Sequence, residues 1–193
     1  MKTPTQLLWE RFGTTEHPAE WDGRDGNGGI GSQRFWEYLW VLQQIGTPQS
    51  VLDVGGGAGF FAAILNDSAI QANVVDPLLP EWGKADFKST LEQFVAASLT
   101  ADNRSGYEWL VSISVLEHVP DKPAFCAALD SFDAPIALTF EFGPGCIEMP
   151  EVYRCLAAFK RHHITKMELC PVVADNSDAS RWRPFGIVLQ PNL

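Results

Sequence analysis

A chain of 193 residues suits one domain with a single sizeable core. Its apolar fraction of 46% and charged fraction of 20% are ordinary for a globular protein, and 24 acidic residues against 14 basic ones leave a net charge of -10. That balance excludes a general grip on nucleic acid, which needs lysine and arginine to neutralise phosphates, and no apolar run reaches the length that spans a bilayer.

Met1-Lys2-Thr3-Pro4 leads into mixed polar sequence rather than a hydrophobic signal segment. Cys126, Cys146, Cys155 and Cys170 are widely spaced with no C-x-x-C pair. They read as reduced thiols of a cytoplasmic protein, not as a disulfide framework or a structural zinc site. Residues 1–31 are expected to form an irregular N-terminal arm, a candidate lid, because Trp21–Gly29 is too rich in glycine for a stable element. The domain proper is expected over residues 32–193.

A helix is predicted from Ser32, a good N-cap, with Phe35, Leu39, Leu42 and Ile45 at helical spacing and Gly46 as its stop. From Ser50 the pattern alternates strand and helix. Ser50–Val54 is a buried strand, Phe60–Leu65 a helix, and Ile70–Val75 a second strand. Residues 85–88 form a short third strand, followed by a helix through Ala97 that opens on the capping-box spacing of Ser89-Thr90-Leu91-Glu92. Trp109–Ser114 is a fourth strand. Asp121 caps a helix carrying Phe125 and Leu129, with Pro123 in its first turn, and Ile136–Phe140 is a fifth strand. A helix after Pro150 carries Val152, Leu156 and Phe159, and the run Lys160-Arg161-His162-His163 at its end is expected to complement the helix dipole. Met167 and Leu169 alternate with Lys166 and Glu168 in a sixth strand, and Phe185–Leu189 is the seventh. The expected fold class is therefore α/β, a single doubly wound, mostly parallel seven-stranded sheet with helices on both faces.

The most informative stretch runs from Val51 to Phe61. An apolar strand enters the glycines of Asp53-Val54-Gly55-Gly56-Gly57-Ala58-Gly59 and leaves as an apolar helix. In an open parallel sheet such a turn borders the ligand crevice. A dinucleotide fingerprint, G-x-G-x-x-G, would place its third glycine where Phe60 stands. Asp53 would also repel a diphosphate, so the turn suits a cationic nucleoside. Asp76, 21 residues after Gly55 at the end of the second strand, can accept hydrogen bonds from both ribose hydroxyls of an adenosine or cap the turn before Pro77.

Residues 50–120 resemble the cofactor half of the class I S-adenosylmethionine (SAM)-dependent methyltransferases. Asp53–Gly59 matches their first motif, Asp76 their second, and Ser112–Asp121 their fourth. The wording of the last is similar to small-molecule O-methyltransferases, including those of quinone biosynthesis. The resemblance implies a Rossmann-like methyltransferase fold, SAM as cofactor, and Gly55, Gly57 and Gly59 around it. It places Ile113 alongside the cofactor and makes Ser89 and Thr90 the adenine-side candidates. Arg34, 21 residues before Gly55, is placed either to pair with the cofactor's carboxylate or as a surface arginine.

Some relatives bind a divalent metal through E-x-x-E-H. Here Ser114 replaces the first carboxylate of Ser114-Val115-Leu116-Glu117-His118, so no metal is expected. His118 reads as a general base or as a packed histidine. Glu117, His162 and His163 are the other candidate bases. Trp21, Trp36, Trp40 and Trp182 are candidates to line an acceptor pocket or close a lid. The expected partner is a small-molecule acceptor, with oligomeric state left open. Two other readings stay open: a SAM-binding protein without catalysis, and a nicotinamide oxidoreductase.

Overall fold

The protein is described by a computed structural model over residues 2–12, 32–57, 59–76, 106–143, 146–170 and 183–192. Strands β1 (Ser50–Val54), β2 (Gln71–Val75), β3 (Trp109–Ile113), β4 (Ile136–Phe142), β5 (His162–Leu169) and β6 (Arg183–Pro191) make one sheet in the order β2-β1-β3-β4-β6-β5. The first four are parallel, β6 runs antiparallel to β4, and β5 antiparallel to β6. This is the doubly wound α/β sheet expected, with six strands among the described residues. The strand expected at 85–88 and the helix through Ala97 lie outside them, as do Trp21, Trp182, Ser89 and Thr90.

The described helices are α1 (Pro4–Phe12), α2 (Ser32–Ile45), α3 (Phe60–Asp67), α4 (Lys122–Leu129) and α5 (Met149–Leu156). None is long and apolar enough to cross a membrane. Every residue of β1 is buried, as a central parallel strand covered on both faces requires. On one face Leu52, Val54, Leu110, Leu138 and Phe140 pack with Phe125, Leu129 and Val152 of α4 and α5. On the other, Val51, Val111, Ile113 and Ala137 pack with Leu8, Val41, Leu42, Phe61 and Leu65 of α1, α2 and α3. Side chains of this size stabilise by about 1.5–3 kcal/mol each when fully buried.

The local punctuation behaves as its chemistry demands. Gly46, at φ 65°, ends α2 and donates its N–H to the Leu42 carbonyl. The Asp121 carboxylate caps α4 by accepting the Ala124 N–H at 3.0 Å.

Three expectations are corrected. Residues 4–12 are helical rather than irregular. Thr3 Oγ1 accepts the Gln6 N–H and Gln6 Oε1 accepts the Thr3 N–H, a reciprocal capping box, and Leu8 is fully buried. Second, the run from Lys160 to His163 does not end a helix, because α5 stops at Leu156. Asp130, just past α4, draws that run in: it accepts the Lys160 and Arg161 N–H groups and pairs with His162 Nδ1 at 2.8 Å, while His162 Nε2 meets the Ala134 carbonyl. His162 is thus a buried tie at the amino-terminal edge of the sheet, and the exposed His163 bonds Asn192. Neither is a base for a site at the opposite edge. Third, Trp40 does not line a pocket. It is 2% exposed, donates Nε1–H to Glu168 Oε2 at 2.9 Å, and lies so close over β6 that a Cβ on Gly186 would fall 2.7 Å from its ring. Trp36 stacks on it at 5.9 Å between ring centres.

Candidate functional site

The two-residue period of the strands decides what faces the site. With Leu52 and Val54 committed to the α4–α5 face, Asp53 turns to the α1–α3 face. Thr139 and Glu141 do the same in β4, between or beyond Leu138 and Phe140. Polar side chains therefore gather near the carboxyl ends of the strands, on the side where α2 presents Arg34 and Glu37. Crevices at these strand ends are where open α/β sheets bind ligands.

Glu37 is the hub of that gathering and is only 2% exposed. Its Oε1 accepts the Ser114 hydroxyl at 2.6 Å and the Thr139 hydroxyl at 2.7 Å, and its Oε2 lies 3.2 Å from Arg34 Nη1. The same arginine nitrogen donates to the Ile113 carbonyl at 3.1 Å. A buried carboxylate is tolerable only when paired and hydrogen-bonded, and this one is both. Ser114 takes φ 51°, a left-handed backbone that non-glycine residues seldom adopt, and its N–H donates to the Thr139 carbonyl. The chain leaves β3 through this kink into the short 3-10 turn Leu116–His118.

The glycine turn sits beside this network. Gly55, Gly57 and Gly59 all have positive φ, and Gly59 opens α3. Gly55 donates to the Val75 carbonyl, and a Cβ there would meet Val115 at 2.3 Å, so only glycine fits. Asp76, at the end of β2, accepts the Gly57 N–H at 2.7 Å and holds the turn. Beneath Gly56 lies the Asp53 carboxyl, 1% exposed, whose buried Oδ2 has no hydrogen-bond partner among the described residues. Burial, and then the nearby charge of Asp76, push Asp53 up to about 7, with Arg34 pulling the other way.

Glu117 also has both carboxyl oxygens buried, with no other residue donating to them among the described residues. Burial and the charge of Glu37 push it up to about 8, its own backbone N–H opposes this, Glu141 adds to it and Arg34 opposes it. His118, on the same turn, is exposed; partial desolvation lowers it below the ordinary imidazole value, with Glu141 opposing. Cys146 donates its thiol hydrogen to Glu141 Oε2 at 3.4 Å. Burial pushes the Tyr38 phenol, beside Arg34 and Asp53, upward, so the hydroxyl keeps its proton at neutral pH.

The structure thus gathers Arg34, Asp53, Gly55, Gly57, Gly59, Asp76, Ile113 and Glu117 at one rim, with His118 on its outer side. Reading the sequence missed Glu37, Thr139 and Cys146. Glu37 did carry a signal, an acid three residues after Arg34 on a helix otherwise rich in apolar residues.

Residues 32–137 match the model of a family described as a methyltransferase domain. No curated protein matches the chain by sequence. Among solved structures, the Burkholderia thailandensis 1,6-didemethyltoxoflavin-N1-methyltransferase, crystallised with 1,6-didemethyltoxoflavin and S-adenosylhomocysteine, is similar at a TM-score of 0.59 and 17% identity, over 100% of this chain and 92% of that one. Magnesium protoporphyrin IX methyltransferase from Synechocystis, with bound SAM, is similar at 0.51 and 15%, over 97% and 98%. The [4+2]-cyclase SpnF is similar at 0.56 and 12%, over 83% and 81%, so the shared fold alone does not name a reaction. The family match covers the first glycine turn, the second-strand acid and the turn after β3 together, and on it the chain belongs to the methyltransferase domain family.

Proposed function

We propose that this SAM-dependent methyltransferase holds SAM against the glycine turn and transfers its methyl group to a small-molecule acceptor. The observation that carries the reading is the Asp53 carboxyl, buried beneath Gly56 with an unpartnered oxygen and with Asp76 nearby. Two carboxylates around a turn that leaves no room for a Cβ at Gly55 or Gly56 repel a diphosphate and favour a nucleoside bearing sulfonium and ammonium charges. The group fits these residues. Asp76 takes the ribose hydroxyls, Ile113 flanks the cofactor and Arg34 faces its carboxylate.

SAM supplies an activated methyl group for in-line displacement. The chain's own residues bind it, orient the acceptor and exclude water. His118, and Glu117 once it has lost its own proton, are the groups assigned to take a proton from the acceptor. A small acceptor is supported by the solved neighbour crystallised with 1,6-didemethyltoxoflavin, and by an acidic chain ill suited to nucleic acid. Cys126, Cys146, Cys155 and Cys170 form no disulfide and three of them are buried, which agrees with a cytoplasmic setting.

Calorimetric titration with SAM, S-adenosylhomocysteine and NAD tests the cofactor. Binding of the two sulfur nucleosides without NAD is expected, and NAD binding alone would sink the assignment. Formation of S-adenosylhomocysteine with small-molecule acceptors then separates an enzyme from a passive binder.

A further inference from the structure

At the acceptor side of the rim, charge and orphaned hydrogen-bonding capacity coincide. Among the described residues both Glu117 oxygens are buried and no other residue donates to them, which carries a substantial desolvation cost unless something else supplies donors. Glu37 and Glu141 lie close enough to act on Glu117 electrostatically, and Glu141 acts in the same way on Cys146 and His118. The nearby guanidinium is already committed, since Arg34 pairs with Glu37, donates to the Ile113 carbonyl and is assigned above to the cofactor's carboxylate. Lys122, near His118, is tied to the Val119 carbonyl and the Glu151 carboxylate. A carboxylate or phosphate ligand would therefore meet three acids with, among the described residues, no cation spared for it. A group rich in N–H donors would meet acceptors.

We propose that the acceptor is a basic amine, whose ammonium N–H groups are received by the Glu117 carboxylate with Glu141 beside it. This rests on the reading of the rim as a methyltransferase site and narrows its substrate class. The raised value of Glu117 has a consequence. At pH 7 the carboxyl is largely protonated, so a cation that binds there displaces a proton.

The test uses the full chain saturated with S-adenosylhomocysteine, titrated calorimetrically with primary and secondary amines and with carboxylates of matched shape, such as 2-phenylethylamine against 3-phenylpropanoate. Each titration is run at pH 7 in buffers of different ionisation enthalpy. Amines are expected to bind at least tenfold tighter than their carboxylate partners and to release protons. In Glu117→Gln that preference and the proton release are expected to vanish, while S-adenosylhomocysteine affinity stays within twofold. Equal or weaker binding of amines, absence of binding by either set, or proton release that persists in Glu117→Gln overturns the proposal and leaves the cofactor site intact. Failure of S-adenosylhomocysteine itself to bind overturns the underlying assignment instead.

Discussion

Oε2 of Glu37 lies 3.2 Å from Nη1 of Arg34, and through this pair helix α2 is pinned to the ends of β3 and β4. Glu37→Ala would strand the arginine and leave the Ser114 and Thr139 hydroxyls without their acceptor. The expected loss of stability is on the order of 3 kcal/mol, at the low end for a broken buried pair because Arg34 keeps 34% of its side chain exposed. Urea denaturation checks the size. Glu37→Gln, which retains one acceptor oxygen, should lose clearly less.

Asp53 gives a pH dependence of opposite sign to the usual carboxylate. Its folded value of about 7 lies above the ~3.9 of an unfolded chain. Between those values the folded protein holds a proton that the unfolded chain has released. Stability therefore falls as pH rises through that window. Asp53→Asn should melt higher than the wild type at pH 8, with the gain fading toward pH 4. It should also bind SAM more weakly, since the ligand's positive charge loses its partner. A variant that melts lower than the wild type at pH 8 would contradict the assignment of a strained carboxyl.

Asp130 shows the ordinary case. Burial alone would raise it, but hydrogen bonds from the Lys160 N–H, His162 and the Arg161 N–H hold it below its usual value. Its contribution is present above the unfolded value near ~3.9 and is lost as pH falls through the lower folded one. His162→Ala removes one of those partners and leaves the Ala134 carbonyl without the imidazole, at a cost of about 1–3 kcal/mol. Because this tie lies at the far edge of the sheet, SAM affinity should not move. Thermal melts and calorimetry on the same variant separate the two effects.

What was legible from sequence is what is local. β1 announces itself through Val51, Leu52 and Val54 just ahead of the glycines, Gly46 as a helix stop, Asp121 as a cap, and Asp53–Gly59 as a ligand turn, because each is decided within a few residues. The misses have longer reach. His162 finds Asp130 across 32 positions, so a basic run after a helix reads as a dipole cap until the sheet brings the acid to it. Glu37 meets Ser114 and Thr139 across 77 and 102 positions, and helical periodicity treats such an acid as a solvated one. The helix at Pro4–Phe12 was overlooked for a different reason. Thr3 and Gln6 spell a capping box, but its weight is slight until Leu8 is seen to be buried.

Asp76→Ala should weaken SAM binding by at least tenfold, about 1.4 kcal/mol. The carboxylate holds the Gly57 N–H at 2.7 Å as well as being the acceptor proposed for the ribose. Both roles fail together in the alanine variant, while the residue's place at the end of an intact β2 keeps the sheet folded. An unchanged dissociation constant would remove Asp76 from the site.

The sharpest steric test is Gly56→Ala. A Cβ at this position would fall 2.4 Å from Asp53 Oδ2 and 2.9 Å from Val74 Cγ1. Neither neighbour can retreat easily, since Asp53 is 1% exposed and Val74 belongs to β2 and packs against the core of the α1–α3 face. The methyl group must displace the carboxyl or lift the turn, and overpacking of this kind costs roughly 1–3 kcal/mol. Either movement spoils the surface offered to the sulfur nucleoside. The expected result is a folded protein with a lowered melting temperature and SAM binding reduced by two orders of magnitude or more. Gly46→Ala serves as the control. That glycine also has positive φ but has open space around its Cβ position, so it should lose stability alone and keep its affinity.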